Sequence, residues 1–286
     1  MTHERQQKAP QPKIQLIDSG RFLADGGAMF GAIPKTTWQR RYPCDDNNRC
    51  VMVMRSALVT VGDRIVLIDT GAGDKQLKRL SYYGFSGLAD LAGELSRRGV
   101  SGEQVSDVVL THLHFDHCGY VTLRDKATGT LLPAFPNATH WISRKQWDIC
   151  HKPSPVEKDS YFTENISALD KANKVRLIDH DAELCHTISL RLYDGHTPGQ
   201  IAPYIETPER TVVFAGDVIP LAASVSPEWI SAYDTSPLTS YDEKIRMLEE
   251  AAASGQALIY CHDAYIHGST IRKVNGLYKA GPVITF

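Results

Sequence analysis

Val108-Val109-Leu110-Thr111-His112-Leu113-His114-Phe115-Asp116-His117-Cys118-Gly119 is an apolar run that breaks into a short polar loop. The loop places four potential metal ligands, His112, His114, Asp116 and His117, within six positions. A buried strand over 105–110 would deliver them at the carboxyl edge of a sheet, held rigidly yet facing open space. A single His or Asp at a strand end usually caps a turn. Four together at ligand spacing point to a metal.

Three more polar residues end strand-like runs in the same way. His196 follows the run 190–195, Asp217 follows 212–216, and His262 follows 258–261. The chain therefore offers five His and two Asp at convergent positions. Without such context, His3, His140, His151, His180, His186 and His267 read as surface groups or internally satisfied ones.

Around these residues the periodicity predicts a hairpin, 56–61 and 64–68 about Gly62-Asp63. Helices are expected over 87–98 (ended by Gly99), 145–150, 157–171 and 241–253, with strands over 175–178, 188–193, 201–205, 211–215 and 257–260. Strands outnumber helices and no repeat or composition break appears, so sheets packed on each other with helices outside are expected. The fold class is α/β (α+β), one domain over 1–286. Residues 1–13, with Pro10 and Pro12, read as a flexible tail, and 14–55 as an N-terminal extension or lid. Within it the glycine-rich segment 25–38 reads as an irregular packed loop.

At 286 residues, 42% hydrophobic and 22% charged, the composition is that of an ordinary globular chain. A formal net charge of −2 gives no basic bias, so nucleic acid is not an expected partner. No apolar run is long enough to cross a bilayer, and the polar first residues lack a signal-peptide core. No membrane association and a cytoplasmic location are the expectations. The six cysteines form no Cys-x-x-Cys pair and read as reduced thiols, with Cys118 and Cys261 beside candidate ligands.

In order, Leu67-Ile68-Asp69-Thr70-Gly71, Thr111 to His117, Gly195-His196-Thr197-Pro198-Gly199-Gln200, Gly216-Asp217 and Cys261-His262-Asp263 resemble the metallo-β-lactamase superfamily. Phe115, the segment 25–38 and Trp229-Ile230-Ser231-Ala232-Tyr233-Asp234 are similar to its N-acyl-homoserine lactone lactonase-like, quorum-quenching members. The resemblance implies a four-layer αββα sandwich with a two-metal site at the sheet edge. His112, His114 and His196 would hold one ion; Asp116, His117 and His262 would hold the other. Asp217 would bridge them, and Asp69 would orient a ligand histidine from behind. Nitrogen and carboxylate ligands suit two Zn²⁺ ions, and Fe²⁺, Mn²⁺ or Co²⁺ also fit.

The implied activity is metal-dependent hydrolysis of a small-molecule ester or lactone. A metal-bridging hydroxide would open the ring, and Asp116 would pass its proton to the leaving oxygen. Met29, Phe30, Phe115 and Tyr233 are the expected substrate contacts. One departure stands out: the tyrosine those lactonases carry three residues past the bridging aspartate is Pro220 here. The alternatives are an organophosphate or phosphoester hydrolase and a glyoxalase-type thioesterase, followed by a β-lactamase or a non-catalytic binding protein. Apolar residues near the N-terminus, if exposed, would favour a homodimer.

Overall fold

The computed structural model describes residues 10–286. Its first half gives β1 (Lys13–Asp25), β2 (Arg49–Val61), β3 (Arg64–Ile68), β4 (Asp107–Val109), β5 (Thr122–Arg124), β6 (Leu131–Pro133), β7 (Thr139–Ser143) and β8 (Val175–Ile178). Six of these form a sheet ordered β1-β2-β3-β4-β7-β8, and β5–β6 pair separately. The second half gives β9 (Ala182–Cys185), β10 (Ile188–Tyr193), β11 (Gln200–Glu206), β12 (Thr211–Phe214), β13 (Ala257–Ile259), β14 (Gly268–Val274) and β15 (Leu277–Val283). They form a seven-stranded sheet ordered β15-β14-β13-β12-β11-β10-β9. The helices are α1 (Gly26–Phe30), α2 (Lys35–Trp38), α3 (Leu91–Ser96), α4 (Phe115–Cys118), α5 (Arg144–His151), α6 (Ser167–Lys171) and α7 (Pro237–Ser254).

Side-chain alternation explains why the layers stack. In β3, Val66 and Ile68 pack into the interior between the sheets, while Leu67 joins Leu91, Leu95, Ile166 and Leu169 beneath α3 and α6. In β12, Val212 and Phe214 face that same interior, while Val213 packs with Met247, Leu248 and Ala251 of α7. A period of two thus gives each central strand one face toward the other sheet and one toward a helix. The result is the expected αββα sandwich. The β2–β3 hairpin turns at Gly62, whose φ of 60° suits glycine. No helix among the described residues is long and apolar enough to cross a membrane.

Several elements differ from the sequence expectation. Residues 1–9 lie outside the described residues, and Lys13 of the expected tail already pairs with Thr60. The segment 25–38 is not an irregular loop but carries α1 and α2. Asp25 starts the first by accepting from Ala28 N, and bare Gly26 lets the Trp38 ring lie against the backbone. The helix expected from residue 87 begins only at Leu91, because Ser86 and Ala89 hydrogen-bond to β1 at Arg21 and Ser19. The span 157–171 is not one helix. Ser160 O accepts from Phe115 N and Tyr161 bridges His114, so this stretch docks on the histidine loop before α6 begins.

Candidate metal centre

All seven candidate ligands meet at one edge of the sandwich. His112 and His114 leave the end of β4, with Asp116 and His117 on α4. The second sheet reaches the same loop, since Ile201 N of β11 donates to Thr111 O at 2.7 Å. His196 follows β10, Asp217 sits in a single 3-10 turn after β12, and His262 follows β13. β2 crosses over to secure His262: Val53 N donates to His262 O at 3.1 Å, and His262 Nδ1 donates to Val53 O at 2.8 Å. Arg55, buried, donates to the carbonyls of Tyr260 and Asp263 on either side.

The ligand atoms form two overlapping groups. His114 Nδ1 lies 3.0 Å from His112 Nε2 and 3.3 Å from His196 Nε2. His117 Nε2 lies 3.1 Å from His262 Nε2, and Asp116 Oδ2 is 3.6 Å from His262 and 3.7 Å from His117. Asp217 faces both groups, with Oδ1 3.1 Å from His262 and Oδ2 3.4 Å from His196. Two atoms each about 2.0–2.1 Å from a tetrahedral ion stand about 3.3 Å apart. The observed separations are therefore edges of such polyhedra.

The outer nitrogens show which way the inner ones point. His117 Nδ1 donates to Asp69 at 2.8 Å, His196 Nδ1 to Asp234 at 2.9 Å and His112 Nδ1 to Thr111 Oγ1 at 3.1 Å. With His262 on Val53 O, four imidazoles carry their proton outward and turn a lone pair inward. Lone pairs facing one another at 3 Å repel unless a cation lies between them, so the donor set fits two divalent ions. Burial pushes His112 well below its ordinary 6.5, with His117 and His114 adding to the shift. Burial lowers His114 too, offset only in part by Glu157. For Asp217 burial acts upward, but His262, His117 and His196 outweigh it and hold the carboxyl well below the usual range. For His117, His196 and His262 burial acts downward, but neighbouring groups, the Asp217 carboxylate among them, outweigh it and raise them, so a bound ion would displace protons there.

Over this edge opens a cleft. Met29, Phe115 and Tyr233 line it, together with Phe22, Tyr83 and Glu157. Phe30 does not: it is wholly buried beneath, 5.0 Å from Trp38 ring to ring, and packs against Trp229. Its place one residue past Met29 on a short helix turns it toward the core. Asp69 stands behind His117. Sequence reasoning missed Asp234, although it lies in the quoted Trp229–Asp234 stretch. It also missed Glu157 and Tyr83, whose positions carry no local cue. His140 is buried with Nδ1 near Lys174 O, away from the centre.

The family model described as the metallo-beta-lactamase superfamily matches residues 55–261. Among solved structures, a probable metal-dependent hydrolase from Staphylococcus aureus is 26% identical with a TM-score of 0.85, covering 97% of this chain and 100% of that one. Hydrolase AbOPH, of the beta lactamase superfamily, is 20% identical at a TM-score of 0.80, over 98% and 97% of the two chains. AidC, a dizinc quorum-quenching lactonase, is 18% identical at a TM-score of 0.78, also over 98% and 97%. The last two likenesses concern the fold.

Proposed function

The chain belongs to the metallo-β-lactamase superfamily as a metal-dependent hydrolase, and we propose that its substrate is an uncharged lactone of the N-acyl-homoserine type. The observation that carries this reading is the lining of the cleft. Among the described residues it includes no Lys or Arg, while Asp116, Glu157 and Asp217 all face it. Asp116 and Asp217 would be taken up by the ions, so an anionic phosphodiester or a carboxylate-bearing thioester would find no Lys or Arg on the lining to hold its charge and would face the carboxylate of Glu157. A neutral lactone meets no such penalty, and Phe22, Met29 and Phe115 offer its acyl chain an apolar wall.

In this reading His112, His114 and His196 would hold one ion and Asp116, His117 and His262 the other, with Asp217 facing both groups. Two divalent ions, when bound, supply carbonyl polarisation and a water acidified toward neutral pH. The side chain of Asp116 makes no hydrogen bond among the described residues and faces the cleft, so it is free to carry a proton to the leaving alkoxide. Pro220 brings no hydroxyl, and its carbonyl is already bonded to His262 N. The phenols of Tyr83 and Tyr233 and the hydroxyl of Ser160 are the remaining hydroxyl donors among its lining residues. A neutral phosphotriester is the second reading, favoured by the same absence of cationic side chains.

Elemental analysis of the purified protein paired with a substrate panel tests this. Two ions per chain and turnover of acyl-homoserine lactones above phosphotriester, phosphodiester, thioester and cephalosporin are expected. Two ions with preferred turnover of an anionic substrate would sink the reading.

A further inference from the structure

Five imidazoles converge on the centre, and four of them have an outer nitrogen held by an oxygen at 2.8–3.1 Å. His114 is the exception. Its Nε2 is buried with no hydrogen-bond partner, and Oε1 of Glu157 lies 3.8 Å from it. An unpaired buried N–H is costly, so this one calls for an acceptor.

Glu157 is itself fixed in place. It is 8% exposed; its Oε1 accepts from Thr197 Oγ1 at 2.7 Å and its Oε2 from Ser154 Oγ at 3.1 Å. Thr197 is held in turn by Gln146 Nε2 of α5 at 3.0 Å, and Gln146 Oε1 accepts from Leu113 N at 2.9 Å. One buried polar network therefore reaches from the carboxylate to the backbone between His112 and His114.

We propose that Glu157 is a positioning residue, whose carboxylate accepts the Nε2 proton of His114 and so leaves Nδ1 unprotonated toward His112 and His196. The role rests on the two-ion reading above. A proton on Nδ1 would occupy the space 3.0 Å from His112 Nε2 and exclude an ion from that group. A buried carboxylate opposite Nε2 selects the other tautomer and strengthens Nδ1 as a donor. Glu157 also lies in a wall of the cleft with Val156 and Ser160, so the same contact ties that wall to a ligand.

The test compares wild type, Glu157→Gln and Glu157→Ala. Ions per chain are counted, Zn²⁺ affinity is measured by chelator competition, and visible spectra are recorded after Co²⁺ substitution. The alanine variant is expected to bind one of its two ions about ten- to a hundredfold more weakly, with an altered cobalt spectrum. Glutamine keeps an accepting oxygen and should restore part of the affinity. The unfolding midpoint of each metal-free protein separates this from general loss of structure: a wild-type midpoint with weakened binding supports the role. Two ions bound to the alanine variant with wild-type affinity and spectrum overturns the role of Glu157 alone. A wild type that binds no ion overturns the two-ion reading, and the role with it.

Discussion

Asp116 and Asp69 are both carboxylates beside His117, yet their surroundings separate them. Asp69 is fully enclosed and saturated: Oδ2 takes protons from His117 and from the Thr111 hydroxyl, and Oδ1 takes one from Thr111 N, each at 2.8 Å. It can orient but has nothing left to exchange. Asp116 touches the ligand nitrogens only at 3.6–3.7 Å and faces the cleft. Asp116→Asn is therefore expected to lower turnover about 10²- to 10⁴-fold while most of the metal stays bound. Full activity in a variant shown to be metal-loaded would remove Asp116 from the proton path. At this scale the sequence is legible where function concentrates locally. Four ligands sit in six consecutive positions, and the other three each end an apolar run. Glu157, Tyr83 and Asp234 reach the centre from irregular segments, where neither spacing nor periodicity marks a residue for a role. Phe30 shows the converse, because direction on a one-turn helix cannot be read from apolarity.

Among the elements, α4 is the one whose placement the centre depends on most. Its four residues carry Asp116 and His117, and the chain leaves it at Gly119. A methyl group there would lie 1.9 Å from the carbonyl oxygen of Ala72, a backbone atom that cannot swing aside. Gly119→Ala is expected to destabilise the fold by about 1–3 kcal/mol or more and to weaken metal binding with it. Urea unfolding checks the first effect, and an unchanged midpoint would show that the loop after β3 has room to yield. Strands flanked by clear turns, such as β2, β3 and β10 to β12, were legible because alternation and turn residues agree. β4 and β13 fall within the strands expected over 105–110 and 257–260, and are shorter at three residues each. β14 and β15 were overlooked although Asn275-Gly276, both at positive φ, mark a hairpin turn. Helix starts were misplaced where long-range backbone pairing, as at Ser86 and Ala89, overrides local propensity.

At the scale of the whole molecule, the candidate ligand set straddles the sandwich. His112, His114, Asp116 and His117 come from the first sheet's edge; His196, Asp217 and His262 come from the second's. Bound ions would therefore join the two sheets as well as serve chemistry. An ion held at a hundred times its dissociation constant adds about 2.7 kcal/mol, worth roughly 4–5 °C in a chain of 286 residues. Stripping with a chelator should lower the melting midpoint by about that amount, and adding Zn²⁺ should restore it. A midpoint indifferent to both would mean that no ion spans the sheets.

The pairing of His117 with His262 across 145 residues of chain also sets a schedule for synthesis. At about 5–20 residues per second, a ribosome adds the second histidine roughly 7–30 s after the first. Within that interval His196 and then Asp217 are added, so the group of His112, His114 and His196 has all its residues before the group that needs His262. His262 is seated only when β13 has joined β12 and its carbonyl has met Val53 on β2. Completion of the second group is thus a late event in the synthesis of each chain, and it requires β13 to have taken its place beside β12.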